Sequence, residues 1–334
     1  MPERSGVLPA ERPRKRLVRM ASSTDPAFGK KPEERTAEER LACGVVPLDK
    51  PSGPTSHQVA AWLRNALAVR DVGHGGTLDP KVTGVLPVTV GSATKVVGAL
   101  LTSGKEYVTV CRLHEEVDEE RIRSVVAEQF VGKVNQTPPV RSAVKRRPRI
   151  RRIYYNDVLE VDGRDVLLRV GCQAGTYIRN LCVDLGRAVG TRGHMQELRR
   201  TRTGLFTEDD LVTLHDALDA RVFLAAGDPS WMLDVVRPVE DVTRHLNKIV
   251  VRDTAVDAVC HGAPLAVIGV ARLDAGIEVG EPVAIETLKG ELVGLGEAQM
   301  TSQSVVSEEK GVAARVQRVV MRKGTYPRTW RSRR

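Results

Sequence analysis

From Gly73 to Gly84 the chain reads Gly-His-Gly-Gly-Thr-Leu-Asp-Pro-Lys-Val-Thr-Gly, which sets one acidic side chain, Asp79, in a glycine-rich turn between two apolar runs. Glycine lets main chain approach a ligand closely, and a carboxylate held in such a turn can reach a reacting atom as nucleophile or base. Alone the motif is weak, because Asp before Pro is also an ordinary turn initiator. Three further segments keep it company: Gly44-Val-Val-Pro-Leu-Asp-Lys-Pro-Ser-Gly-Pro-Thr-Ser56 upstream, and Gly104-Lys-Glu-Tyr107 and Gly175-Thr-Tyr-Ile-Arg179 downstream. His74 invites a general-base or metal reading, yet no second His or Cys stands at ligand spacing, so neither a metal nor another cofactor is expected. A hydrolase reading fares worse, since no Ser-His-Asp pattern or paired-metal pattern occurs.

The elements that must position these residues alternate between strand and helix. Thr55 with Gln58 forms a capping box, after which Val59, Trp62, Leu63, Ala66 and Leu67 share a helical face. Apolar runs at 83–90 and 107–113 read as strands, separated by a short helix over 93–101. Ile122, Val125, Val126, Gln129 and Phe130 mark another helix, and 153–160 with 166–172 a hairpin turning at Asp162-Gly163. Thr176 is the expected N-cap of a helix whose stripe is Ile178, Leu181, Cys182 and Leu185, which leaves Arg179 off the stripe. The texture changes near 245–248. From 249 to 320 short β-rich runs are broken by Gly262, Gly269, Gly276, Gly280, Gly290, Gly294 and Gly296, with 288–292 as a hairpin tip.

A length of 334 residues suggests about two domains, and 41% hydrophobic residues suffice for a core in each. Lys and Arg number 51 against 42 Asp and Glu, a net charge of +9 that favours a polyanionic partner. The clustering says more. Arg141, Lys145, Arg146, Arg147, Arg149, Arg151 and Arg152 follow one another with no intervening acid, between two apolar segments, and read as a phosphate-binding stretch. A second basic run, from Arg318 to Arg334, reads in its last residues as a solvated tail. Five scattered cysteines, Cys43, Cys111, Cys172, Cys182 and Cys260, suit neither zinc nor a disulfide framework and point to a reducing, cytoplasmic setting. No secretory leader and no run of 18 apolar residues is found, so no membrane association is expected.

The four segments, in this order, resemble the TruB family of pseudouridine synthases. The later runs Pro138-Pro-Val-Arg-Ser-Ala-Val-Lys-Arg-Arg147 and His194-Met-Gln-Glu-Leu-Arg-Arg-Thr-Arg202 are similar to its archaeal and eukaryotic branch, the dyskerin-type catalytic subunit of H/ACA ribonucleoproteins. The resemblance spans about 25–330. It implies an α+β protein: a catalytic domain with a large mixed sheet at 41–247 and a small β-rich PUA pseudo-barrel at 248–330. Residues 1–40 would be a partly disordered extension whose later part packs on the PUA domain, the first two dozen residues being private to this chain.

The activity so implied is isomerisation of specific uridines to pseudouridine. Asp79 would be the catalytic carboxylate, as nucleophile or as base at the sugar, Arg179 its partner, and Tyr107 the aromatic that stacks on the target uracil and helps at C5. Tyr177 and Leu198 would line the pocket, His57 and His74 would hold the strand from which the base is flipped, and Lys50 and Pro51 would support the loop. Arg141, Lys145, Arg146, Arg147 and Arg149 would bind RNA backbone. Implied partners are an H/ACA guide RNA, rRNA and tRNA substrates and small accessory proteins, with guide-independent action on the tRNA T-loop as a further activity. The chain lacks the long insertion by which bacterial relatives grip tRNA. A non-catalytic RNA-binding scaffold is the competing reading. One departure stands out: Gly75 replaces the usual Ser or Thr, which is expected to loosen the catalytic loop.

Overall fold

The structure, a computed structural model, describes residues 4–138 and 147–328. Two sheets organise it. The N-terminal arm contributes β1 (Arg16–Val18) to the smaller of them. Nine strands build the larger: β2 (Cys43–Lys50), β3 (Val72–His74), β4 (Thr83–Gly91), β5 (Lys105–Leu113), β6 (Gly132–Gln136), β7 (Arg149–Asp162), β8 (Asp165–Cys172), β9 (Gly193–Thr203) and β10 (Arg237–Pro238). Their order is β10-β2-β4-β9-β5-β8-β7-β6, with β3 added beside β4; β4 and β9 run parallel and the other pairs antiparallel, a mixed sheet as expected.

Strands β2 and β4 read as nearly unbroken apolar runs because both their faces are covered. A short helix, α1 (Ala37–Ala42), leads into β2 and buries Ala37 in the same core as Val46, Leu48, Leu86 and Val88, which pack under α2 (Ser56–Ala66). On the other face, Val45 and Val85 pack with Ala284, Leu292 and Val320 from the C-terminal part of the chain. Thr55 caps α2 as read from sequence, its hydroxyl accepting from the Gln58 amide while Gln58 returns to the Thr55 amide, an arrangement worth about 1 kcal/mol. The short helix read before β5 is α3 (Val97–Thr102), entered through a 3-10 turn at Ser92–Val96. On the outer half of the sheet, α4 (Glu119–Gln129) and α5 (Ile178–Ala188) bury Ile122, Val126, Leu181, Cys182 and Leu185 in one core with Tyr107, Cys111, Ile153, Leu168 and Val170 of the strands.

The second sheet takes β11 (Asn247–Val251), β12 (Leu265–Ala266), β13 (Val270–Asp274), β14 (Pro282–Glu286), β15 (Leu292–Ala298) and β16 (Val312–Val319), in the order β1-β13-β11-β14-β15-β16-β12. Thr287 and Glu291 close the turn between β14 and β15 where the hairpin tip was read, with Gly290 at φ 86° supplying the left-handed residue.

The later part of the arm packs on the second sheet, as the resemblance implied, and its early residues pack too, because several of the arm's few apolar residues find a core. Leu8 is wholly buried, Leu17 and Phe28 pack on the second sheet's core, and β1 pairs antiparallel with β13. Arg35 then donates to Glu240 with both terminal guanidinium nitrogens at 2.8 Å, and Glu240 also accepts from the Leu292 amide at 2.7 Å. That carboxylate, just beyond β10, ties the arm and the second sheet to the end of the large sheet.

Candidate active site

The loop carrying Asp79 runs from β3 to β4 and is held from below at Gly75, Gly76, Leu78, Pro80 and Val82. The Ser56 hydroxyl, at the start of α2, accepts from the Leu78 amide (2.9 Å) and donates to the Leu78 carbonyl (3.2 Å). Lys50 donates to the carbonyls of Pro51, Pro80 and Val82, each at 2.9 Å, which is the supporting role read for it from sequence. Arg200 donates to Val85 (2.7 Å) and Gly76 (3.3 Å). Gly84, at φ 99°, is needed twice over: its backbone is left-handed and a Cβ there would lie 2.2 Å from the Arg200 carbonyl.

Gly75 does not loosen the loop. Its amide donates to Pro87 (3.1 Å), and a Cβ would fall 2.5 Å from the Leu100 side chain, so Leu100 fills the room that a hydroxyl-bearing side chain would take. The expected slack is absent because the space is packed with hydrocarbon.

Asp79 projects from this platform into solvent and meets Arg179, 100 residues further along, in a hydrogen-bonded ion pair. Both side chains stay about half exposed, at 55% and 42%. Arg179 sits in the first turn of α5. That helix begins differently from the sequence reading: its N-cap is Tyr177 and the Thr176 hydroxyl turns back to the Gln173 carbonyl. Gln136 on β6 accounts for the shift, since its side chain accepts from the Tyr177 amide (2.9 Å) and donates to the Tyr177 carbonyl (3.1 Å), satisfying from outside the N-cap amide that the third-position side chain of a capping box would otherwise reach.

Tyr107, on β5 beside the loop, is 8% exposed and faces Arg200 across the strand pair. Burial raises its phenol pKa, with Cys172 and Asp79 adding to it against the opposing pull of Arg200, so the ring stays neutral. Arg200 and Lys105 are residues that the sequence reading missed. Lys105 is buried, donates to the Leu100 and Ser103 carbonyls (both 3.1 Å), and is pushed down to about 7 by burial and by Arg200. Three basic side chains, Lys50, Lys105 and Arg200, thus lie buried around the loop with main-chain carbonyls as their hydrogen-bond partners. Nothing in Leu-Arg-Arg-Thr-Arg told Arg200 from Arg199 or Arg202; only strand pairing does.

His57 and His74 come together edge to face with ring centroids 4.7 Å apart, at the rim of the loop. Burial, then His57 and Arg200, lower the His74 pKa and favour the neutral ring. Leu198 lines a cleft of about 770 Å³ with Lys81, Val82, Thr83 and Arg199, while Tyr177 is half-buried at the head of α5. Arg149 opens β7, with Arg147 two residues before it, and Arg151 donates to the Gly175 carbonyl at 3.3 Å, just before Arg179. Arg141, Lys145 and Arg146 lie outside the described residues. All five cysteines are free thiols, and among the described residues no helix is long and apolar enough to cross a membrane.

Family models match almost the whole length: the TruB family pseudouridylate synthase N-terminal domain over 64–178, the tRNA pseudouridylate synthase B C-terminal domain over 179–243, a PUA domain over 247–320 and a DKCLD (NUC011) domain over 7–60. A probable tRNA pseudouridine synthase B of Methanopyrus kandleri is 53% identical over 97% of this chain and 96% of that protein, and its counterpart in Pyrococcus furiosus is 51% identical over 98% and 97%. The chain belongs to the TruB family of pseudouridylate synthases. Its reaction is the isomerisation of uridine in RNA. Among solved structures, a similar chain stands in a Cbf5-Nop10-Gar1 complex, with a TM-score of 0.94, 50% identity and coverage of 98% of this chain and 100% of that one. Another is in an H/ACA RNP bound to a substrate RNA containing 2′-deoxyuridine, with a TM-score of 0.91, 48% identity and coverage of 97% and 100%. The DKCLD match begins at residue 7, so the arm is shared with other proteins rather than private to this one up to residue 24.

Proposed function

We propose that this synthase is the catalytic subunit of an H/ACA-type ribonucleoprotein of the cytoplasm, isomerising uridines in rRNA chosen by a guide RNA and, without a guide, a uridine of the tRNA T-loop. The observation that carries the site is the ion pair between Asp79 and Arg179, two residues 100 positions apart joined at the mouth of one loop. Asp79 acts at the sugar, as nucleophile on C1′ or as base at C2′. The C1′–N1 bond breaks, the uracil turns, C5 bonds to C1′, the C5 proton leaves and N1 gains one, so no group is gained or lost. Arg179 orients the carboxylate until RNA arrives, and Tyr107 stacks on the base and assists at C5.

The chain divides in this reading into a catalytic part, 41–247, and an RNA-binding PUA part, 248–330, with the arm packed across them. Arg141, Lys145, Arg146, Arg147 and Arg149 bind backbone phosphate, His57 and His74 hold the distorted strand, and Tyr177 and Leu198 wall the base. Small accessory proteins of the kind named in the similar complexes, Nop10 and Gar1, complete the particle. The test is release of tritium from C5-labelled uridine in RNA by the full chain assembled with guide RNA and both accessory proteins. Release at the guide-selected uridine is expected. Tight RNA binding with no release would instead make this chain a scaffold.

A further inference from the structure

One row of residues crosses four strands of the large sheet: Tyr155 on β7, Gly171 on β8, Glu106 on β5 and Arg202 on β9. The next row on β5 and β9 is Tyr107 with Arg200, and an irregularity in register separates the two rows. Glu106 is bonded in sequence to Tyr107 and, by the alternation of the strand, points the other way. On β7 an irregularity between Ile153 and Tyr155 reverses the face of residues that a regular strand would keep on one side: Ile153 packs in the core with Tyr107, whereas Tyr155 turns to Glu106. Gly171 makes this reach possible, for a Cβ there would lie 2.2 Å from the Tyr155 ring.

Glu106 is buried and accepts from the Tyr155 hydroxyl (2.5 Å) and the Thr201 hydroxyl (2.8 Å), with Arg202 at 3.7 Å. The first described residues of the chain close over this carboxylate. Arg4 donates to the Tyr155 hydroxyl (3.3 Å), lies 5.7 Å above its ring and stands 3.7 Å from Glu106. Arg4 also holds both oxygens of Glu11 at 2.7 and 3.0 Å, and Glu11 in turn accepts from Arg202 at 3.1 Å and from the Leu8 amide at 2.7 Å. Leu8 is wholly buried, and Pro9 fits against Gly104, at the entry to β5. Two guanidinium groups and two carboxylates thus balance one another around the residue next to Tyr107.

We propose that Arg4 and the segment around Leu8 and Glu11 are positioning elements for the isomerisation: the arm locks Glu106, and through it the register of β5 that aims Tyr107 at the substrate base. The proposal rests on the role given to Tyr107 above. A charge-balanced, mostly buried network transmits position well, since its members have one arrangement that satisfies them all and any other leaves a charge unpaired. Displacing a reacting group by about 1 Å costs up to about a hundredfold in rate.

The test measures single-turnover tritium release, RNA affinity and melting temperature in the assembled particle for Arg4→Met, Arg4→Lys, Tyr155→Phe, Tyr107→Phe and the double variant Arg4→Met with Tyr107→Phe. Arg4→Met and Tyr155→Phe are expected to slow release about tenfold or more with RNA affinity unchanged, Arg4→Lys to recover part of the rate, and the double variant to be no slower than Tyr107→Phe alone. Wild-type release by Arg4→Met would overturn the positioning role while leaving the site reading intact. Full additivity in the double variant would also overturn it, by showing that the arm acts elsewhere. Wild-type release by Tyr107→Phe, which keeps the stacking ring, would instead remove the hydroxyl's assistance at C5, the part of the Tyr107 reading on which the expected behaviour of the double variant rests.

Discussion

The basic side chains above and below one loop are handled in opposite ways. Above it, Arg179 meets a carboxylate in solvent; below it, Lys50, Lys105 and Arg200 are buried and bond to main-chain carbonyls. An exposed pair is worth little to stability and opens at little cost, which suits the role proposed for Asp79 at the sugar. A buried donor that loses its acceptors has no recourse to water, so each one fixes the main chain it touches. Rigidity and accessibility are thus separated at this site: the platform is locked from beneath, while the Asp79 carboxylate is held only by one half-exposed ion pair.

Breaking the lower layer should have the largest effect. Arg200→Met leaves the Gly76 and Val85 carbonyls without their donor, and the loss of such charge-assisted bonds is expected to cost about 2–4 kcal/mol in denaturant unfolding and at least about a hundredfold in turnover. An unchanged unfolding midpoint would show that the loop does not depend on it. Arg179→Lys probes the upper layer. It should slow turnover about tenfold while leaving stability within about 0.5 kcal/mol and RNA affinity unaltered, because Lys keeps the charge and loses the planar fork. Equal damage to stability by both substitutions would erase the contrast.

The subtlest difference is one of pH. Lys105 is pushed down to about 7 by burial, against an ordinary value of 10.5, so between those limits the unfolded chain holds a proton that the folded one has shed. Stability should therefore rise with pH from about 7 toward 10.5, by up to about 1.4 kcal/mol per pH unit from this group, relative to a Lys105→Met variant. Below about pH 7 both states are protonated and the slope should vanish. Parallel curves for the two proteins throughout would mean that Lys105 stays charged in the fold.

Much of this was legible in the sequence where local chemistry decides. The Thr55–Gln58 box, the stripe of α5 and the hairpin at Asp162-Gly163 each follow from neighbours a few positions apart. The motif order pointed to Asp79 and Arg179, and the ion pair brings them together. What could not be read depends on partners distant in the chain: the full burial of Arg200 beside the half-buried Arg199, the hold of Gln136 on the N-cap residue of α5 from strand β6, the packing of Leu100 into the space left at Gly75, and the docking of an arm whose composition says only that it is polar. In each, one side chain answers a need created tens of residues away or more, and no window of sequence holds both ends.

The role proposed for Asp79 is that its carboxylate, carried on this platform, performs the chemistry. It is tested most directly by single-turnover tritium release from C5-labelled uridine RNA with Asp79→Asn, in which shape and RNA binding persist and the negative charge is gone. Release should fall by at least about a thousandfold with affinity for RNA nearly unchanged; substantial release by the purified variant would contradict the account.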